Sequence, residues 1–524
     1  MIMPRSDIKF ILGFSLALIL LASAPYLYGY LTTPQNQTFT GFGLYSWVDT
    51  PVYYGYIEQI KQGHFLLQDM HTSEPQKPFF NVFWLTLGLL AKIFNLSPAL
   101  AFHLTKLILV PILVYSLFIF LRLFVIHRVK LKVALIFLTM ASGFGIIFWN
   151  QLPFPYNYLW DFSIPETTIF QSIYSSPHFI ASWILIILSF YFLISGYLKN
   201  RNTAIIKAGF AALILTQFHP FYALLLITVP TVYAFILYLK EKNNGHLIKW
   251  LIFEVFMVPS ILYYLYLQSD AVFNLRSQNL MLSPPPLTII LAFGATFFMA
   301  AGGLALVFKK YAQSKAWLFI VVWFFTNLFL LYAPVPFQRR LIEGWMVPLG
   351  LLALLALNEF LPQMTKLKEK YIALVFFTGA AIFLFSLSNM VIWKMSFDFY
   401  QNKTSHLYLT GDEISAFDWI KNNASDQTVF LTNNFVDGNL LPAMTGKKVF
   451  WGHGFETVNF NQKTDLINKL FSSDDTNEQI AILKNNKITH LFWNIGLANQ
   501  FNPETKPFLT RVFANQVIQI YEIN

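Results

Sequence analysis

The sequence predicts a polytopic α-helical membrane protein of about eleven transmembrane helices, ending in a C-terminal extracytoplasmic α/β domain. Hydrophobic residues make up 56% of the 524-residue chain and charged residues only 12%, about half the usual charged share. Aromatic residues reach 18%, with 56 Phe, 25 Tyr and 13 Trp, a composition suited to anchoring at membrane interfaces. Apolar runs of about 20 residues, long enough to span a bilayer, recur up to residue 393 and then stop.

The chain has no cysteine, which removes disulfides, thiolate metal sites and Cys nucleophiles together. Its 36 basic and 26 acidic residues leave a net charge of +10. That excess flanks the apolar runs, as orientation by positive inner loops requires, and does not gather into a groove for nucleic acid.

The first run, from Ile8 to Tyr30, follows Arg5 and Lys9. Ala22-Ser23-Ala24 imitates a cleavage site, but the run is longer than a signal core and Pro25 hinders cleavage, so the segment reads as a retained span entering from the cytoplasm. The short run from Phe79 to Phe94 is expected to lie as a juxtamembrane helix, because only then do Arg128, Lys130 and Lys132 fall in the cytoplasm after the long run that ends at Ile126. Further spans follow at 133–149, 178–198, 203–219, 220–239, 247–267, 287–307, 315–333, 341–360 and 371–393. Inner turns then hold Lys199, Arg201 and Lys207, then Lys240, Lys242 and Lys249, then Lys309, Lys310 and Lys315, and finally Lys366, Lys368 and Lys370. This threading makes residues 1–393 a transmembrane domain in the cell membrane with a cytoplasmic N-terminus. Its outer loops at 31–78 and 150–177 are acid-rich.

Residues 394–524 lack apolar spans and read as the outer α/β domain. Helical patterns at 412–423, 462–471 and 477–485 alternate with short β-rich segments at 428–431, 448–451, 490–493 and 517–523. This tail carries slightly more acidic than basic side chains, so the membrane part holds the whole positive excess.

Several outer residues are chemically suggestive. Pro51 and Gly63 bracket a helix with Val52, Tyr53, Tyr56, Ile57 and Ile60 on one face, which predicts a helix lying on the membrane surface with Asp49 at its start. Asp49 is either the cap of that helix or a reactive carboxylate. Arg339 and Arg340 stand on the outer side against the positive-inside bias, an arrangement suited to a lipid phosphate, to head-group snorkelling or to a bridge to Glu343. Lys106 lies about two turns inside a span, where an ammonium requires Asp49, Glu74 or a substrate phosphate as partner. His178 and His219 fall at outer span ends and, with Asp49 and Asp161, leave a divalent metal open as a cofactor. The sequence has no phosphate-cradling glycine loop, no His-Glu-x-x-His and no Gly-x-Ser-x-Gly.

A first span, a long outer loop with an Asp soon after it, many further spans and an outer C-terminal domain resemble the GT-C superfamily of glycosyltransferases. Within it the chain is similar to bacterial relatives of protein O-mannosyltransferases and of the lipid A aminoarabinose transferase. The matching segments are Asp49 with Tyr53 and Gly63; Thr72-Ser-Glu74-Pro75; Pro334-Val-Pro-Phe-Gln-Arg339-Arg340; and the stretch from Thr445 to Thr457 that contains His453 and Glu456. Two departures stand out: Thr50 and Pro51 follow Asp49 where relatives often carry a second acid, and Lys106 stands where many carry Arg.

The resemblance implies transfer of a sugar from a polyprenyl-phosphate carrier to a glycan, protein or lipid acceptor on the outer face, usually with inversion. Asp49 would be the general base, and Glu74 and Asp161 further acids that orient the acceptor. Lys106, Arg339 and Arg340 would hold the departing phosphate, while Tyr53, His178, His219, His453 and Glu456 would line the site. Two other readings remain: a lipid transporter or flippase, expected to carry mid-membrane charges such as Glu254, and a non-catalytic assembly factor in which Asp49 is dispensable.

Overall fold

The computed structural model describes residues 3–149, 151–154, 156–157, 159–364, 379, 384–404, 406–497 and 501–524. Its contacts group into two units. The first comprises 1–24, 105–265 and 280–396; the second comprises 25–104, 266–279 and 397–524. The second unit therefore gathers the long first outer loop, a short piece near residue 270 and the C-terminal segment.

Among the described residues seven helices are long and apolar enough to cross a membrane: Arg5–Leu31, Pro98–Leu121, Arg128–Phe148, Pro177–Leu198, Tyr222–Glu241, Pro286–Lys310 and Gln338–Glu359. The pair Gly245–Val255 and Val258–Leu267, bent by 41°, raises the number to eight if it counts as one span. Asn202–Phe218 and Lys315–Leu330 form where spans were expected but are shorter, and most of the expected span at 371–393 lies outside the described residues.

The first unit packs by close helix pairing. Pro286–Lys310 lies along Met346–Met364 so tightly that a Cβ added at Gly303 would sit 1.9 Å from the Leu352 carbonyl oxygen. Only glycine lets the two backbones approach this closely, the device that membrane helices use where lipid supplies no hydrophobic drive between them. Trp183, Trp323, Trp345, Tyr222 and Tyr233 fill the interior. Buried Asn327, on Lys315–Leu330, donates to the Leu341 carbonyl at 2.5 Å and fixes the short 3-10 turn Gln338–Ile342 that carries Arg339 and Arg340.

The span Arg128–Phe148 is interrupted: one helix ends at Met140 and the next begins at Gly145. The fully buried Asp161 occupies the break. One carboxylate oxygen accepts from the Gly143 and Gly145 N–H groups, at 2.9 and 3.1 Å, and from the Ser388 hydroxyl at 2.6 Å. Backbone donors freed by a helix break within an apolar bundle need such an acceptor. This geometry belongs to a carboxylate that holds a break together, which differs from the acceptor-orienting role expected for Asp161. Asp161→Ala is accordingly expected to lower thermal stability in detergent, because each buried donor left without an acceptor costs roughly 1–3 kcal/mol. Asp161→Asn, which keeps an oxygen, is expected to cost less; melting of the Ala variant at the wild-type temperature would remove this role.

In the second unit a five-stranded mixed sheet runs in the order β4-β3-β5-β7-β6. It is built from β3 (Val429–Thr432), β4 (Lys448–Val449), β5 (His490–Asn494), β6 (Leu509–Ala514) and β7 (Ile518–Ile523). The pairs β3–β4 and β3–β5 are parallel, and β5–β7 and β7–β6 antiparallel. Leu431, Phe450, Leu470, Leu491, Trp493 and Tyr521 belong to its core. A two-stranded ladder joins β1 (Gln37–Phe39) in the first loop to β2 (Tyr408–Thr410), ahead of helix Gly411–Asn423 with its Thr410/Glu413 capping box.

Helix Thr50–Gln62 forms as expected and ends at Gly63, in the left-handed region at φ 104°. It is not a surface helix, however. Nearly every residue from Thr50 to Ile60 is buried, packed between helices Val82–Ile93 and Phe435–Thr445. The amphipathic face therefore turns toward protein, because two apolar helices of the same unit supply the cover that lipid was expected to give.

Candidate functional site

In the second unit the chain around Asp49 is set by backbone hydrogen bonding from a distant helix. Asn439, on Phe435–Thr445, donates from its side-chain amide to the Val48 carbonyl at 2.9 Å. Asp49 stands at the N-cap position of helix Thr50–Gln62, but its side chain makes no capping bond, so the capping reading is replaced. Its side chain is 52% exposed, and one oxygen lies 3.2 Å from Nε2 of the buried His453.

The orientation of His453 follows from its other nitrogen. Nδ1 faces the backbone N–H groups of Phe455 and Glu456 at 3.2 and 3.1 Å. Two donors can be accepted only by an unprotonated nitrogen, so the ring proton sits on Nε2 and is donated to Asp49. The loop behind the ring is equally fixed. Thr457 Oγ1 accepts from the N–H groups of Gly452 and His453, both at 3.1 Å, and donates to the His71 carbonyl at 2.6 Å. A Cβ at Gly452 would lie 2.2 Å from the Gly438 carbonyl oxygen, so glycine is required where this loop crosses helix Phe435–Thr445.

Glu74, expected to orient an acceptor, is instead paired with the buried Lys463 ammonium at 2.7 Å and accepts from the Thr72 hydroxyl. Lys463 also donates to the Phe450 carbonyl at 2.9 Å. Burial pulls this ammonium below the usual lysine range, against the raising effect of Glu74. The pair ties the first loop to helix Phe460–Ser472. Tyr53 stacks on Trp84, with ring centres 4.8 Å apart.

Three further residues are central to this unit: Asp69, which the sequence marks only as one of the outer-loop acids, and His71 and Arg276, which it does not mark. Asp69 is fully buried. One of its oxygens accepts from the His71 N–H at 2.9 Å, and the other lies 3.4 Å from Arg276, which also pairs with Glu456. Burial alone would raise the Asp69 carboxyl, but Arg276 and His71 outweigh it and hold the group below the ordinary carboxylate range. Burial lowers the His71 imidazole, whose Nε2 lies 3.2 Å from the Asn439 carbonyl.

The first unit holds the other expected residues. Lys106 is buried and donates to the Tyr174 carbonyl at 2.9 Å. Arg340 pairs with Glu166, not with Glu343, whose carboxylate instead accepts from the Tyr222 hydroxyl. The Arg339 N–H donates to the Met281 carbonyl at 2.9 Å. His178 and His219 meet edge to face with ring centres 5.0 Å apart, each bonded to a serine hydroxyl: Ser176 at 2.6 Å and Ser182 at 2.8 Å. Among the described residues no three His, Asp or Glu side chains converge as a donor set for a metal ion. Asp69, Glu74 and Glu456 are each engaged by a cation of the protein.

The long apolar helices among the described residues mark a multi-pass membrane protein, and its fold is similar to that of solved membrane proteins. Its likeness is to the oligosaccharyltransferase of Archaeoglobus fulgidus in three solved forms. These are the apo form, a complex of AglB with an inhibitory peptide and a dolichol-phosphate, and a form tethered through a disulfide to an acceptor peptide containing the NVT sequon. The TM-scores are 0.51, 0.51 and 0.52 at 12% identity, over 92% of this chain and 70%, 70% and 69% of the other chains. At that identity the likeness establishes the fold alone. No family model matches the sequence, and no curated protein matches it.

Proposed function

We propose that this protein is a membrane glycosyltransferase that moves a sugar from a polyprenyl-phosphate carrier to an acceptor hydroxyl, with inversion and with Asp49 as general base. The observation that carries this reading is the Asp49–His453 pair: a half-exposed carboxylate, fixed at one oxygen by a buried donor, in a chain with the fold of an oligosaccharyltransferase. In the proposed step the acceptor oxygen bonds to the anomeric carbon while the bond from that carbon to the phosphate oxygen breaks. The acceptor proton passes to Asp49, and the electron pair leaves with the polyprenyl phosphate. A positioned carboxylate suits this because the hydroxyl becomes acidic only as the new bond forms.

Arg339, Arg340 and Lys106 are assigned to the phosphate, where fixed cations stabilise the charge that develops on the leaving group. Glu74 and Asp161, given their Lys463 and backbone partners, are assigned to support and not to the reaction. The transmembrane segment 1–393 is read as the catalytic domain and 394–524 as an outer domain that contributes His453, with the N-terminus cytoplasmic and the protein in the cell membrane.

The test is sugar release from a panel of synthetic polyprenyl-phosphate sugars by purified protein in lipid. Turnover with at least one member is the expected result. Carrier binding without turnover, across glycan, peptide and lipid acceptors, would transfer support to a flippase, the reading favoured by the bent helix pair beside Glu254.

A further inference from the structure

A cavity of about 390 Å³ opens in the second unit, immediately beyond His453. One wall is the end of the short helix Ala271–Ser277 with Asn279; the other is the loop from Gly454 and the first turn of helix Phe460–Ser472. The walls are clamped by the Arg276–Glu456 ion pair and by a hydrogen bond of 2.9 Å from the Asn279 amide to the Phe455 carbonyl. Its size is that of a small-ligand site.

The chemistry of the lining narrows the ligand. Arg276, its one cation, is shared between two carboxylates, Asp69 and Glu456, so the surroundings do not favour an anion. The remaining polar groups are neutral. Asn459, Asn461 and Gln462 are exposed, and among the described residues their side-chain amides make no hydrogen bond; Asn459 occupies the N-cap position of its helix without capping it. Each amide offers donors and an acceptor side by side, the complement of vicinal hydroxyls. Phe455 and Leu275, 54% and 45% exposed on facing walls, supply apolar surface of the kind that covers the C–H face of a sugar ring.

We infer that this cavity binds a neutral oligosaccharide, so that the acceptor of the proposed transferase is a glycan. The inference rests on the transferase reading for the word acceptor, but binding is testable without turnover. The probes are tetrasaccharides of glucose, mannose and N-acetylglucosamine, with an Asn-x-Thr peptide as comparator, titrated into the full-length protein in lipid nanodiscs. The expected result is saturable binding of at least one tetrasaccharide, weakened at least about tenfold in Phe455→Ala and in the double variant Asn461→Ala/Gln462→Ala, with melting temperatures unchanged.

Binding of no tetrasaccharide, or binding that these variants leave intact, would overturn the inference. Sugar transfer to the peptide without tetrasaccharide binding would overturn it while leaving the transferase standing. Tetrasaccharide binding lost in the variants, in a protein that turns over no carrier, would sustain the cavity assignment and sink the transferase reading.

Discussion

Asp49→Asn is expected to fold normally and to lose at least roughly 100-fold in sugar transfer, the scale of a lost general base. Folding is spared because the side chain makes no capping bond and is half exposed, while Asn keeps an oxygen to accept from His453. What disappears is the ability to take a proton. The loss should fall on kcat, with carrier binding intact. His453 provides the accompanying check: His453→Gln can present an amide N–H to Asp49 and should retain more activity than His453→Ala, which leaves the carboxylate without its buried donor. Transfer by Asp49→Asn at the wild-type rate would remove Asp49 from the mechanism.

The second large effect is expected at Arg340. Arg340→Gln should lower transfer by roughly 100-fold if its charge stabilises the departing phosphate. It should also lower stability, because Glu166 is buried and loses its counter-ion. The double variant Glu166→Gln/Arg340→Gln separates the two effects, since it removes the uncompensated acid and should recover much of the melting temperature. Transfer should stay low in the double variant. Recovery of both together would make Arg340 a structural partner of Glu166 and nothing more.

The membrane helices were legible because each is a local statement: an apolar run with bases at one end forms a helix wherever it lies. Helix Thr50–Gln62 was legible for the same reason, from Pro51 and Gly63 at its ends. Its surroundings were not, since an amphipathic face does not reveal whether lipid or protein covers it. Helix Phe435–Thr445 escaped notice because Gly438 and Pro442 sit inside it. Tertiary contact overrides both, and this helix sets the backbone before Asp49. The joining of Asp69 to Arg276 was not legible either, because the acid and the arginine that neutralises it lie some two hundred positions apart. An acidic residue in an outer loop looks the same in sequence whether it faces a substrate or, like Asp161, accepts from the backbone at a helix break. The Asp49–His453 pair spans 404 positions; its two members stood out separately, but nothing in the sequence joined them.

The bond from Thr457 to the His71 carbonyl joins residues 386 positions apart. During biosynthesis the first outer loop is made early, yet the threonine that holds it is made near the end. At ribosomal rates of about 5–20 residues per second, the loop waits roughly 20–80 s for its partner. For about the first half of that interval Asp69 lacks Arg276, throughout it the clamping loop is missing, and until Phe435–Thr445 is made the face of helix Thr50–Gln62 that it will cover stays bare. Maturation of this region is therefore a late, concerted event, and a nascent chain stalled before residue 457 would carry a first loop open to protease that the finished protein protects.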